Sequence, residues 1–143
     1  MVNTVNKKER DAILVITDRE SNNFCRTLAL KNRKVRVSTF GDAKDEVTNC
    51  QVDLILIDCD DDAEEGLKIL RNNKSMCPNI PNIFITNISY KDLVLKVFRS
   101  GARDFFRKPF NTLELKNTIE GLLAVRQMSK EARRPFINTT SFL

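Results

Sequence analysis

The chain has 143 residues and a net charge of +5, with 41% hydrophobic and 30% charged residues, so it is one folded domain rather than a disordered or fibrous chain. It contains no histidine. That excludes His-based acid–base catalysis, Ser-His-Asp and Cys-His nucleophile pairs, and His-containing zinc sites.

The first predicted element is a strand over residues 12–16 (AILVI). Its apolar run is continuous rather than alternating, as expected of a strand covered on both faces. Phe24, Leu28 and Leu30 follow at roughly helical spacing after Ser21, a plausible N-cap, and give a helix. Residues 35–39 (VRVST) alternate and predict a strand at a sheet edge; a weak helix follows over 42–49. Residues 54–57 (LILI) give the third strand, and the helix after it carries Leu67 and Leu70. Residues 83–85 (IFI) give the fourth. The helix over 92–100 carries Leu93, Val94, Val97 and Phe98, with some of these, Val94 and Phe98 among them, facing either the core or a partner. Residues 104–107 (DFFR) are a fifth, weaker strand. The last helix, from Asn111 to about Arg126, carries Leu115, Ile119, Leu122 and Leu123 and opens on an Asn111/Glu114 capping pattern. Strands alternating with helices predict right-handed crossovers and a doubly wound, five-stranded parallel α/β sheet with five helices. Residues 1–9 read as an arm, 10–127 as the domain, and 128–143 as a helix extension and tail that serves as a connector or a dimerisation element.

Six of the eight residues from Asp58 to Glu65 are acidic, in a chain that is otherwise basic. This focus suits either cation binding or a solvated surface. The basic residues form no long run and are not interleaved with aromatics, so direct nucleic-acid binding finds little support. The four cysteines show no CxxC or zinc spacing, and reduced thiols in a cytoplasmic protein are the simplest expectation. No apolar run is long enough to span a membrane.

In an open parallel sheet, sites form beyond the carboxyl ends of the strands. There the chain places Thr17 and Asp18 after the first strand, Asp58 at the end of the third, Thr86 at the end of the fourth, and Lys108-Pro109 after the fifth. A carboxylate such as Asp58 can attack a phosphoryl group without a base. Asp18 and Asp58, with a main-chain carbonyl from the loop after Asp58, could supply oxygens to Mg²⁺. Lys108 is a mobile point cation and Thr86 a hydroxyl donor for the same phosphoryl oxygens.

These residues resemble the receiver domain of two-component response regulators, the CheY-like fold. The likeness covers about residues 10–127 and is carried by DLILIDCDDDAEEGLKIL, NIFITN and SGARDFFRKPF. It implies strand order 2-1-3-4-5, with Asp58 as phospho-acceptor and Asp18, Asp58 and the carbonyl of Asp60 as Mg²⁺ ligands. It also implies Thr86 and Lys108 on the phosphoryl group, Phe105 as an aromatic switch, and often a cis Lys-Pro bond. The implied donor is a sensor histidine kinase or phosphotransfer protein. The implied output is a partner or fused domain reached through the fourth helix, fifth strand and last helix. The chain would be a signalling domain, at most slowly phosphorylating and dephosphorylating itself.

The chain departs from the family pattern at several positions. Thr17 stands where a second acid is usual, which implies weakened Mg²⁺ binding. Asp62 stands where proline is frequent and frees the loop. Asn87 replaces a small residue and would crowd the phosphoryl pocket, and Asp60, Asp61 and Asp62 would repel a phosphodonor. These departures keep open a second expectation, a pseudo-receiver that binds partners without phosphorylation. A DNA-binding protein rests only on the pI of 9.2.

Overall fold

The computed structural model describes residues 11–19 and 33–132. Five strands, β1 (Asp11–Thr17), β2 (Arg33–Thr39), β3 (Leu54–Cys59), β4 (Asn82–Thr86) and β5 (Asp104–Arg107), form one sheet in the order β2-β1-β3-β4-β5. Every neighbouring pair is parallel. The described helices are four: α1 (Ala43–Glu46), α2 (Ala63–Met76), α3 (Leu93–Arg99) and α4 (Thr112–Ala132). The helix expected after Ser21 and the arm over 1–9 lie outside the described residues, as does the tail beyond Ala132.

The continuous apolar runs are explained by the two cores. Leu14, Ile16, Ile55, Ile57 and Phe84 point to the side packed by α1, α2 and α3. Ile13, Val15, Leu54, Leu56, Ile83 and Ile85 point to the other, where Leu115, Ile119 and Leu123 of α4 cover them. Alternate residues face opposite sides of a strand, so burial on both sides removes the alternation. β2 lies at the sheet edge as expected, but its burial does not alternate: residues 34–37 are all exposed, Val35 and Val37 among them.

The weak helix over 42–49 contracts to the four residues of α1, which is capped at Val47; the chain then passes through a turn to Cys50, whose φ is +53°. α2 is longer than its apolar pair suggested. Asp62 caps it by accepting the Glu65 main-chain NH at 3.1 Å, and it ends at Cys77 before Pro78. Gly66 lets α2 approach the sheet: a Cβ there would lie 2.9 Å from Cys59 Sγ and 3.1 Å from Phe84 Cζ. In α3, Leu93 and Val97 are buried, while Val94, Leu95 and Phe98 are exposed. α4 runs past Gln127 as expected.

The expectation of reduced thiols is corrected. Cys50 and Cys77 form a disulfide across 27 residues, with Cα atoms 5.7 Å apart. Cys59 is a buried free thiol, and Cys25 lies outside the described residues. The bridge joins the turn before β3 to the end of α2, so the fold rather than a CxxC spacing brings the pair together.

Candidate functional site

Register puts the expected residues on one edge. Thr17 pairs with Asp58, Cys59 with Thr86, and Thr86 with Arg107, so Asp18 and Lys108 follow at the same level. Asp58 is 1% exposed. Its Oδ1 lies 2.6 Å from Lys108 Nζ, and its Oδ2 is 3.1 Å from the Thr17 hydroxyl. That hydroxyl also accepts the Arg19 main-chain NH at 3.0 Å, which turns the chain just after β1. Lys108 is held in place by its own main chain: its NH donates to the Thr86 carbonyl at 2.8 Å, and the Lys108-Pro109 bond is cis.

Asp18 organises the loop after β3. Its carboxylate accepts the NH of Asp60 at 2.9 Å, of Asp61 at 2.8 Å and of Asp62 at 3.1 Å. A proline at 62 would have no NH to give. Asp62 therefore fixes both the loop and the start of α2 rather than loosening them. With its main chain pinned, Asp60 turns inward while Asp61 and Asp62 stay exposed. Asp60 Oδ2 is 2.9 Å from Lys108 Nζ, and Oδ1 accepts the Asn87 NH at 3.2 Å.

The electrostatics follow from this crowding. Burial pushes the Asp58 carboxyl above the usual carboxylate range, and the charge of Asp60 adds to the effect. The bonds from Lys108 and Thr17 oppose it without overcoming it. Burial works against the Lys108 ammonium, yet Asp58 and Asp60 together raise its pKa. Burial likewise pushes the Cys59 thiol well up, leaving it unreactive beside the site.

A family model described as the response regulator receiver domain matches residues 13–120. The chain belongs to this family. Over 94 residues it is 32% identical to regulatory protein LuxO of Vibrio cholerae, a match spanning 66% of this chain and 20% of that protein. The chain thus spans about a fifth of the length of such curated relatives. It is 30% identical over 84 residues to sporulation initiation phosphotransferase F of Bacillus subtilis, spanning 59% of this chain and 68% of that one. The crystal structure of a CheY-like response regulator receiver domain protein from Methanospirillum hungatei superposes with a TM-score of 0.74 at 20% identity, covering 85% of this chain and 99% of that one.

Within this receiver domain, Asp58, Asp18, Thr86 and Lys108 reach one edge, as expected. The Thr86 hydroxyl is turned to the chain after β4, accepting the Ile88 NH at 2.9 Å. Phe105 is half-buried, stacked on Phe84 with ring centroids 6.4 Å apart, and the Arg107 guanidinium lies over its ring. Asn87 does not crowd the pocket with its side chain, which is exposed; it contributes its main-chain NH instead. Two roles escaped the sequence: the Thr17 hydroxyl, read only as a missing acid, and the Asp60 side chain, read as one of three charges repelling a phosphodonor and not as a partner of Lys108. The acidic run signalled neither, because all its members look alike until Asp18 fixes the loop.

Proposed function

We propose that this receiver domain accepts a phosphoryl group on Asp58 from a phosphohistidine of a sensor histidine kinase or phosphotransfer protein. The observation that carries this is the buried Asp58 carboxylate 2.6 Å from Lys108 Nζ at the carboxyl edge of the sheet. An Asp58 oxygen forms the new O–P bond as the donor's N–P bond breaks, and the leaving imidazole keeps the electron pair and takes up a proton. Lys108 orients the carboxylate and meets the negative charge of the incoming oxygens. Thr86, at 0% exposure and itself the main-chain anchor of Lys108, supplies a hydroxyl once its bond to Ile88 is exchanged.

Among the described residues no three acidic or thiol side chains cluster as a metal site. The donors that are present nonetheless fit Mg²⁺ in kind, since this ion takes one or two carboxylates and keeps its waters. Asp18 and Asp58, with the carbonyl of Asp60, would hold it. When bound, it would neutralise charge on the phosphoryl oxygens.

Phe105 and Arg107, on the strand that leads to Lys108, would carry the change to the exposed Val94, Leu95 and Phe98 of α3 and to α4. Residues 10–127 would be the signalling unit, acting in the cytoplasm on a partner, a fused output domain or a second copy through the extension beyond 127. No described helix is long and apolar enough to cross a membrane. Labelling by acetyl phosphate tests the proposal. Mg²⁺-dependent label that vanishes in Asp58→Asn is expected, and absence of label at high Mg²⁺ would overturn it.

A second reading, a pseudo-receiver whose partner binding ignores phosphorylation, is favoured by one observation. Thr17 and Lys108 already hold both oxygens of Asp58. Partner binding that requires Mg²⁺ and beryllofluoride would exclude it.

A further inference from the structure

The donors that would receive an anion on Asp58 already hold one. The Asp60 side chain is 2% exposed and is bound through both oxygens, Oδ2 to Lys108 Nζ at 2.9 Å and Oδ1 to the Asn87 NH at 3.2 Å. The same ammonium lies 2.6 Å from Asp58 Oδ1. The two carboxylates therefore share one cation, and a phosphoryl group bonded to Asp58 would present its oxygens to that cation too.

The placement of Asp60 is built in. Its main-chain NH donates to both oxygens of Asp18, at 2.9 and 3.2 Å, and this fixes the loop so that the side chain aims inward. Its neighbours Asp61 and Asp62 are solvated. A carboxylate that could equally be in water is expensive to bury unless its oxygens find donors. The donors that Asp60 finds include an ammonium and an amide, a pair suited to any oxyanion.

We infer that the Asp60 carboxylate is the resident occupant of this domain's anion pocket, and that a phosphoryl group arriving on Asp58 displaces it from Lys108 and Asn87. The displacement rests on Asp58 being the acceptor; the occupancy does not. The competing carboxylate is intramolecular, so its effective concentration is high and constant. Small oxyanions therefore bind weakly, and the resting domain already has Lys108 and the chain after β4 drawn onto an anion.

The test uses the full chain, ¹⁵N-labelled, as wild type, Asp60→Ala and Asp60→Asn; the isosteric Asn variant serves if the Ala variant does not fold. Without metal or ligand, Asp60→Ala is expected to move the Asn87 amide proton upfield and speed its exchange, because its acceptor is gone. Asp60→Asn, which keeps an acceptor oxygen but no charge, should fall between. Beryllofluoride with Mg²⁺ is expected to bind Asp60→Ala about tenfold more tightly than wild type, the factor expected for loss of one charge-assisted competitor. Acetyl phosphate should label it faster by a similar factor. An unmoved Asn87 amide overturns the occupancy. Equal affinity and equal labelling in wild type and variant overturn the displacement and leave Asp58 standing as acceptor. If neither protein takes up beryllofluoride or label while the Asn87 amide moves, Asp58 fails as acceptor and Asp60 stands as the permanent ligand of the pocket.

Discussion

The two ends of the sheet each bury an aspartate, and they treat it in opposite ways. At the amino end, Asp53 accepts the Ala12 NH at 2.9 Å, lies 3.5 Å from Arg126 Nε and is bonded to Lys130 Nζ. Burial alone would raise its pKa, but Lys130, the amide and Arg126 together hold it below the usual carboxylate range. At the carboxyl end, Asp58 shares Lys108 with Asp60, and burial wins, so its pKa rises. Asp58 is the more deeply buried, its side chain 1% exposed against 8% for Asp53, and this adds to its upward shift. The ratio of cations to carboxylates differs: two cations serve one carboxylate at the amino end, and one ammonium serves two at the carboxyl end. One end is settled into the structure, while the other is kept in a state that added cation or anion exchange can relieve.

The amino end is also where the chain is stapled, and breaking the staple should have the largest effect. Cys50 precedes β3 and Cys77 closes α2, 27 positions apart in sequence. Closing a loop of that length restricts the unfolded chain by about 3–4 kcal/mol in the entropic picture. Chemical denaturation with and without reductant should show a loss of that order, and Cys50→Ser should reproduce it and remove the response to reductant. A response to reductant that survives in Cys50→Ser would show that this pair is not its source.

Asp53→Asn comes next. It leaves two partly buried cations facing a neutral side chain, between the small value of an exposed pair and the larger one of a buried pair, so a loss of about 2 kcal/mol is expected. The pH dependence has a defined sign. A folded pKa below the unfolded one gives stability that is present above about pH 4 and is lost as pH falls through the folded value. Wild type and Asp53→Asn should therefore converge in acid. A difference that holds constant to pH 2 would mean that the charge of Asp53 is not what stabilises.

Much of this was legible in sequence because the strands are buried on both faces. AILVI, LILI and IFI could hardly be anything but central parallel strands, and the residues closing them had to share an edge. What stayed hidden depends on long-range partners. Asp53 meets Lys130 from 77 residues away, and Asp60 meets Lys108 from 48. Cys50 meets Cys77 only because α2 ends beside the turn before β3. Thr17 looked like a lost acid, and only the β1–β3 register shows its hydroxyl bonded to Asp58. Sequence periodicity reports which face a residue takes, and it carries no information on which cation a given carboxylate will find.

The smallest expected effect is the sharpest test of the comparison, because its sign is reversed. Asp58→Asn removes a carboxylate whose ionised form burial and Asp60 disfavour. Lys108 is not left uncompensated, since Asp60 Oδ2 remains 2.9 Å from its ammonium. Because the ammonium stays paired, the cost of breaking a buried pair is not incurred, while the repulsion between two like charges is relieved, and a gain of about 1 kcal/mol is expected. A carboxyl whose folded pKa lies above the unfolded one lowers stability once pH exceeds the folded value, and that penalty vanishes below about pH 4. At neutral pH, thermal or denaturant unfolding should thus place Asp58→Asn above wild type and Asp53→Asn below it, with all three drawing together in acid. If Asp58→Asn instead unfolds more easily at neutral pH, then Asp58 is held as Asp53 is, and the contrast between the two ends of the sheet collapses.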